Sequence, residues 1–162
     1  MKRIFISIIL FSFFILVLCQ QGNLIDNVNN DNAINDDSEV EITGGIAELI
    51  NVFNEEGIEY SYEVAESESE FIPGKRVFFS LFGEKFSVHQ FATQDKAEDF
   101  KKQFDLGGCT IGNNKISWSD YPHFYCKWNL IIQYVGSNDD IIQTLESILG
   151  REFSGYKAVN NY

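Results

Sequence analysis

The sequence predicts an α+β fold: an antiparallel sheet of about five strands, with about three helices packed mainly on one of its faces. Three observations lead there. Apolar residues recur at helical spacing in three separate stretches, 46–53, 97–104 and 141–149. Two stretches of strand character, 77–90 and 121–135, each carry a connection too short for anything but antiparallel pairing. The order helix, strand, hairpin then occurs twice before a closing helix, and amphipathic helices of this kind need a sheet face to cover.

Taken in order, Thr43 is placed to cap a first helix whose apolar face is Ile46, Leu49, Ile50 and Phe53, with Gly57 available for the left-handed closing position. Residues 60–64 alternate as a strand, 66–70 form an acidic loop, and Pro73-Gly74 turns the chain. In the hairpin 77–90, a two-residue turn at Gly83-Glu84 would set Leu81 opposite Phe86, Phe79 opposite Val88 and Val77 opposite Gln90. That makes Val77, Phe79, Leu81, Phe86 and Val88 the core face. It leaves Phe78, Ser80, Phe82, Lys85, Ser87 and His89 on the other, with His89 at the surface; a slip of one residue would exchange the two sets.

Thr93 caps a second helix with a narrow stripe of Ala97, Phe100 and Phe104, broken by Gly107-Gly108. A short extended piece at 109–111, a turn at 112–114 and a strand at 115–118 follow. Tyr121-Pro122 is a candidate cis bond, with trans the default. The strand from Tyr121 meets Leu130–Val135 through a tight connection in which Asn129 would take a bulged form, its register open. Ser137 and Asp140 make a capping pair for a third helix with Ile141, Ile142, Leu145, Ile148 and Leu149 inward and Gly150 as its stop. The single domain runs 43–155, and 156–162 is a loose end, with Phe153 and Tyr156 as docking contacts.

The chain begins Met1-Lys2-Arg3, followed by an apolar block over residues 4–18, the pattern of a secretory signal peptide and short for a membrane span. Leu16-Val17-Leu18-Cys19 resembles the lipobox of bacterial lipoproteins, which implies a lipid on Cys19 and attachment to the outer face of the membrane. Leu18 departs from the small residue usual before the cysteine, so secretion with cleavage near Gly22, or an uncleaved anchor, stands as the alternative. Residues 19–42 hold no Lys, Arg or aromatic residue, are rich in Asn and Asp, and read as an acidic tether. Their Asp/Asn spacing lacks the Gly of a calcium loop. The net charge of -12 excludes nucleic acid as a partner, since a phosphate backbone needs a basic surface.

The run Ile116-Ser117-Trp118, Pro122-His123-Phe124-Tyr125, Leu130-Ile131-Ile132, Tyr134-Val135-Gly136, Leu149-Gly150 and Phe153-Ser154-Gly155 resembles a family of uncharacterised bacterial lipoproteins, as does the hairpin that carries Gly83-Glu84. The likeness covers residues 71–155; it implies export and a small extracytoplasmic domain, and no activity.

Few residues carry chemistry. Cys109 and Cys126 are the two cysteines beyond the leader, and an oxidising compartment predicts a disulfide between them. His123, with Asp120 and Tyr125 close in sequence, is a candidate base or ligand oriented by a carboxylate, against the plainer role of ordering the start of a strand. Phe78 and Phe82, with His89 beside them, are candidates for a binding surface on an open sheet face. No nucleophile, zinc or phosphate-loop motif occurs, and neither a cofactor nor a metal site is expected. The expectation is an exported, lipid-anchored envelope protein whose domain binds a protein or an apolar ligand. The alternatives are a hydrolytic or metal-assisted enzyme on His123 and Asp120, and a purely structural lipoprotein.

Overall fold

A computed structural model describes residues 42–160 apart from Glu68; the leader, Cys19 and most of the tether lie outside the described residues. The elements are α1 (Gly45–Glu55), β1 (Ser61–Val64), β2 (Lys75–Leu81), β3 (Glu84–Gln90), α2 (Gln94–Lys101), β4 (Thr110–Ile111), β5 (Asn114–Lys115), β6 (Pro122–Lys127), β7 (Leu130–Val135), α3 (Asp139–Leu149), β8 (Ser154–Gly155) and α4 (Tyr156–Asn160). Six strands form one antiparallel sheet in the order β1-β2-β3-β7-β6-β8, and β4 and β5 form a separate ribbon. The α+β class holds. The sixth strand is β8, which was not expected, and of the strand expected at 115–118 only Lys115 lies in a strand, paired in β5 with the ribbon and not with the main sheet.

Side chains alternate across the sheet, so each strand feeds two layers. On one side Val77, Phe79 and Leu81 of β2, Phe86 and Val88 of β3, Leu130, Ile132 and Tyr134 of β7 and Tyr125 of β6 meet α1 and α3. α1 contributes Ile46, Leu49 and Phe53, and all five expected α3 residues are buried there. On the other side Ile131, Phe124 and Phe91 pack against Ala97 and Phe100 of α2, Ile111 of the ribbon and Ile72 of the loop before β2. Two of the three long helices therefore share a face and the third covers part of the opposite one.

The β2–β3 faces are as expected, but the register is displaced by two residues: Phe79 lies opposite Phe86 and Leu81 opposite Glu84. The turn is Phe82-Gly83, with φ of 51° and 81°. Two positive φ angles are the mark of a type I′ turn, whose twist matches that of the strands it joins. A shift of two residues leaves each side chain on its face, which is why the faces survive the wrong turn. At β6–β7 the two-residue turn is Trp128-Asn129, with Lys127 opposite Leu130 and no bulge. Trp128, not Asn129, takes the positive φ, at 54°.

Asn129 is used elsewhere, and this corrects the expected cap of α1. Thr43 makes no cap; Gly44 occupies that position without a side-chain hydrogen bond. Instead Gly45 N–H donates to Asn129 Oδ1 (2.9 Å) and Ile46 N–H to Gln90 Oε1 (3.0 Å), while Asn129 Nδ2 donates to the Phe91 carbonyl (2.6 Å). A Cβ on Gly45 would lie 2.3 Å from Asn129 Oδ1, so the position accepts only glycine. The other end of α1 closes as expected: Gly57 N–H donates to the Asn54 carbonyl and Ile58 N–H to that of Phe53, a Schellman motif on Gly57 at φ 66°. Thr93 caps α2 through Lys96 N–H. α3 is capped by Asn138, which accepts from Asp140 N–H, in place of Ser137, whose hydroxyl donates to Asp120.

Of the stretch expected as a loose end, residues 156–160 are built into the domain. β8 pairs with β6 (His123 opposite Gly155, Phe124 opposite Ser154), α4 follows at once, and Ala158 is buried. Phe153 packs on Phe104 and Tyr156 on Tyr121. The chain has no cis peptide among the described residues, so Tyr121-Pro122 is trans, and no helix there is long and apolar enough to cross a membrane.

Candidate functional site

β6 turns His123 toward the α3 layer, where its ring stacks on Tyr134. The expected partner, Asp120, is not there: its carboxylate accepts from Tyr121 N–H (2.8 Å) and the Ser137 hydroxyl. The partner is Glu152, carried in by the turn before β8, with Nδ1 and Oε2 at 2.5 Å and both side chains sealed from solvent. Nε2 lies 3.2 Å from the Gly136 carbonyl. A carbonyl only accepts, so Nε2 carries a hydrogen, and one further proton is shared between Nδ1 and the carboxylate. The other Glu152 oxygen accepts from Ala158 N–H at 2.6 Å. Every polar atom of the pair is thus turned inward, and the acid–base arrangement of His123 with Asp120 is corrected to a buried clamp on the chain end. Tyr125, on the same face, is fully buried with its hydroxyl unpartnered. Burial foremost, then Glu152, Glu146 and Tyr134, pushes that phenol well above its usual range. It is a core residue.

His89 corrects a surface expectation, since it is fully buried. Ser87 donates to Gln133 Oε1 (3.2 Å), so the contact between Ser87 Oγ and His89 Nε2 (3.1 Å) places a hydrogen on Nε2 and leaves Nδ1 without a hydrogen bond. Burial, and the Arg76 charge opposite it, lower its pKa to about 4 against weaker support from the Ile72 backbone and Gln133.

The two expected phenylalanines part company. Phe78 is half-buried, with the Arg76 guanidinium 4.8 Å from its ring centre. Phe82 is 58% exposed at the hairpin corner. Beside it lies an open groove of about 780 Å³ between that corner and the segment joining α1 to β1, lined by Gly57, Ile58, Tyr60, Ser61, Ser80 and Phe82. Tyr62, 47% exposed, stacks on Tyr60, and β1 is the end strand of the sheet. Phe82 was legible from sequence as an outward residue. The groove was not, because it joins residues 57–61 to 80–83 only through the β1–β2 pairing.

Cys109 and Cys126 do not form the expected disulfide; both are free thiols. Cys126 lies half-buried on β6, facing α2, with its thiol 3.5 Å from Glu98 Oε1, while Cys109 is exposed beside the ribbon with its thiol toward the Gly107 carbonyl. Each is committed to a different neighbour. Burial, reinforced by Glu98, pushes the Cys126 thiol up to about 12. At pH 8 Cys109 should therefore react with iodoacetamide while Cys126 lags by at least about tenfold in rate, because the thiolate is the nucleophile. Mass spectrometry of time-resolved labelling checks this; equal rates, or no labelling without reductant, would contradict it.

Among the described residues no three His, Cys, Asp or Glu side chains converge as a metal site. No family model matches the chain, and neither a curated protein nor a solved structure does.

Proposed function

We propose that the chain is an exported, lipid-anchored cell-envelope protein of the kind its leader and C-terminal pattern resemble, and that its domain is a non-catalytic binding module. The anchor rests on the sequence 16–19 and the basic, then apolar, leader. The binding role rests on one observation, Phe82. A large aromatic side chain stands 58% exposed on a backbone with φ 51°, next to the groove. An L-residue there costs roughly 1–2 kcal/mol, and Asn or Gly would serve the turn better. A side chain kept against its own conformational preference and against solvent is explained by contact with something else. The inward commitment of His123 and Glu152 supports the same reading over hydrolysis.

Phe82→Asn should accordingly raise unfolding stability by about 1 kcal/mol, measured in urea. A destabilised variant would mean that Phe82 serves the fold, and the binding role would lose its support. For the anchor, intact mass of protein taken from its own membranes should show a chain beginning at Cys19 with a lipid attached. A lipid-free chain cut near Gly22 would refute the anchor.

A further inference from the structure

We infer that the open edge of β1 takes an extended, lysine- or arginine-bearing segment of a partner protein, added antiparallel or parallel as a seventh strand; this rests on the binding-module reading and names its partner. β1 ends the sheet on one side, and at the opposite end β8 is only two residues long and runs directly into α4. The hydrogen bond from Ala65 N–H to the Arg76 carbonyl continues the β1–β2 ladder, in which Ser61 lies opposite Ser80 and Glu63 opposite Phe78. Hydrogen-bonded pairs alternate along an antiparallel ladder, so residues 61, 63 and 65 bond β2. The main-chain groups of Tyr62 and Val64 therefore face outward. A strand laid there gains main-chain hydrogen bonds, and the groove beside Tyr60 and Phe82 receives a side chain from it.

Charge selects the occupant. From Glu55 to Glu70 the sequence carries seven acidic residues and no Lys or Arg. Glu55, Glu56, Glu59, Glu63, Glu66 and Glu70 are all exposed, with Lys85 held on Glu63 at 2.7 Å. A basic strand is attracted to this edge and its cations suit the exposed faces of Tyr62 and Phe82. A second copy of the chain is disfavoured, because pairing β1 with β1 would bring the same acids together. Natural sheets protect an open edge with lysine, proline or a bulge. β1 has none of these, so its acids repel its own kind and leave the edge usable by the opposite charge.

The test uses the full-length chain in detergent and a blocked peptide of about eight residues alternating lysine and valine, a usual strand length, with a glutamate–valine peptide of equal length as control. Amide hydrogen exchange read by NMR should show protection of Tyr62 and Val64 rising at least about tenfold with the lysine peptide and not with the glutamate peptide. The protection should weaken in about 0.5 M salt, where screening is strong, and disappear in Glu59→Lys/Glu66→Lys, whose substituted residues are exposed. Equal protection by both peptides, protection elsewhere only, or none overturns the inference. So does protection that rises with protein concentration alone, which would make the edge a self-association site. None of these outcomes alters the expected stabilisation by Phe82→Asn, so the docking edge can fail while the binding role of Phe82 stands.

Discussion

Replacing His123 with alanine should destabilise the protein by about 3–5 kcal/mol, the usual result of removing one partner of a buried, hydrogen-bonded polar pair and leaving the other unpaired. The Glu152 side chain is sealed from solvent, and with the imidazole gone only Ala158 N–H would remain to it. Glu152→Gln should cost far less, about 1 kcal/mol. A neutral imidazole keeps its hydrogen on Nε2 for the Gly136 carbonyl and accepts from the new amide at Nδ1, while the amide oxygen still takes Ala158 N–H. Removing both polar partners, as His123→Leu/Glu152→Leu, should recover much of the loss seen in the single alanine variant. Urea unfolding of the three variants checks the order. A His123→Ala protein within 1 kcal/mol of the parent, about the error of a weak contact, would show that the pair does not hold the chain end.

The second large effect is on pH. His89 titrates at about 4 in the folded protein and at 6.5 when free of it. Between those values the unfolded chain binds a proton that the native one does not, so stability rises with pH across this window. The contribution is complete above pH 6.5 and is lost as pH falls toward 4, amounting to roughly 3 kcal/mol for a shift of this size. His89→Gln retains an amide for Ser87 but cannot titrate. Unfolding free energies of parent and variant, measured at several pH values between 4 and 7, should diverge as the solution is acidified, with the parent losing more. Parallel curves would mean that His89 protonates in place without penalty.

Local chemistry was readable from the sequence where it decided the structure by itself. The stripe 141–149 is the inner face of α3, Thr93 caps α2, Gly57 closes α1, and the alternation in 77–90 sorts core from outer face. The failures at the two histidines share a physical origin in partners far along the chain. His89 reads as outward because its strand neighbours are polar. It is buried because α2 and residues 71–72 pack over that part of the sheet. Proximity in sequence points His123 to Asp120, whereas the structure supplies a carboxylate 29 residues away, just before a strand too short to show periodicity. The disulfide expected from compartment and count does not form because Cys126 packs toward α2 on β6 and Cys109 sits beside the ribbon, each with its own neighbour. Both tight turns break the residue preferences used to place them, with Phe82 and Trp128 at positive φ where Gly or Asn is usual.

The borrowed cap of α1 bears on the order in which the molecule is built. The helix opens the domain, yet its first two amides are completed by Asn129 and Gln90, 84 and 44 residues further along. Synthesis delivers the amino-terminal end first. α1 then emerges with no side chain of its own able to finish it, and it waits for both hairpins. Contacts of such wide separation carry a loop-closure cost that must be met before they stabilise anything. The hairpins β2–β3 and β6–β7, each closed by a two-residue turn, carry no such cost within themselves. α1 is therefore expected to close late in folding though it opens the domain in sequence, with Asn129 as the latch that couples the last hairpin to it.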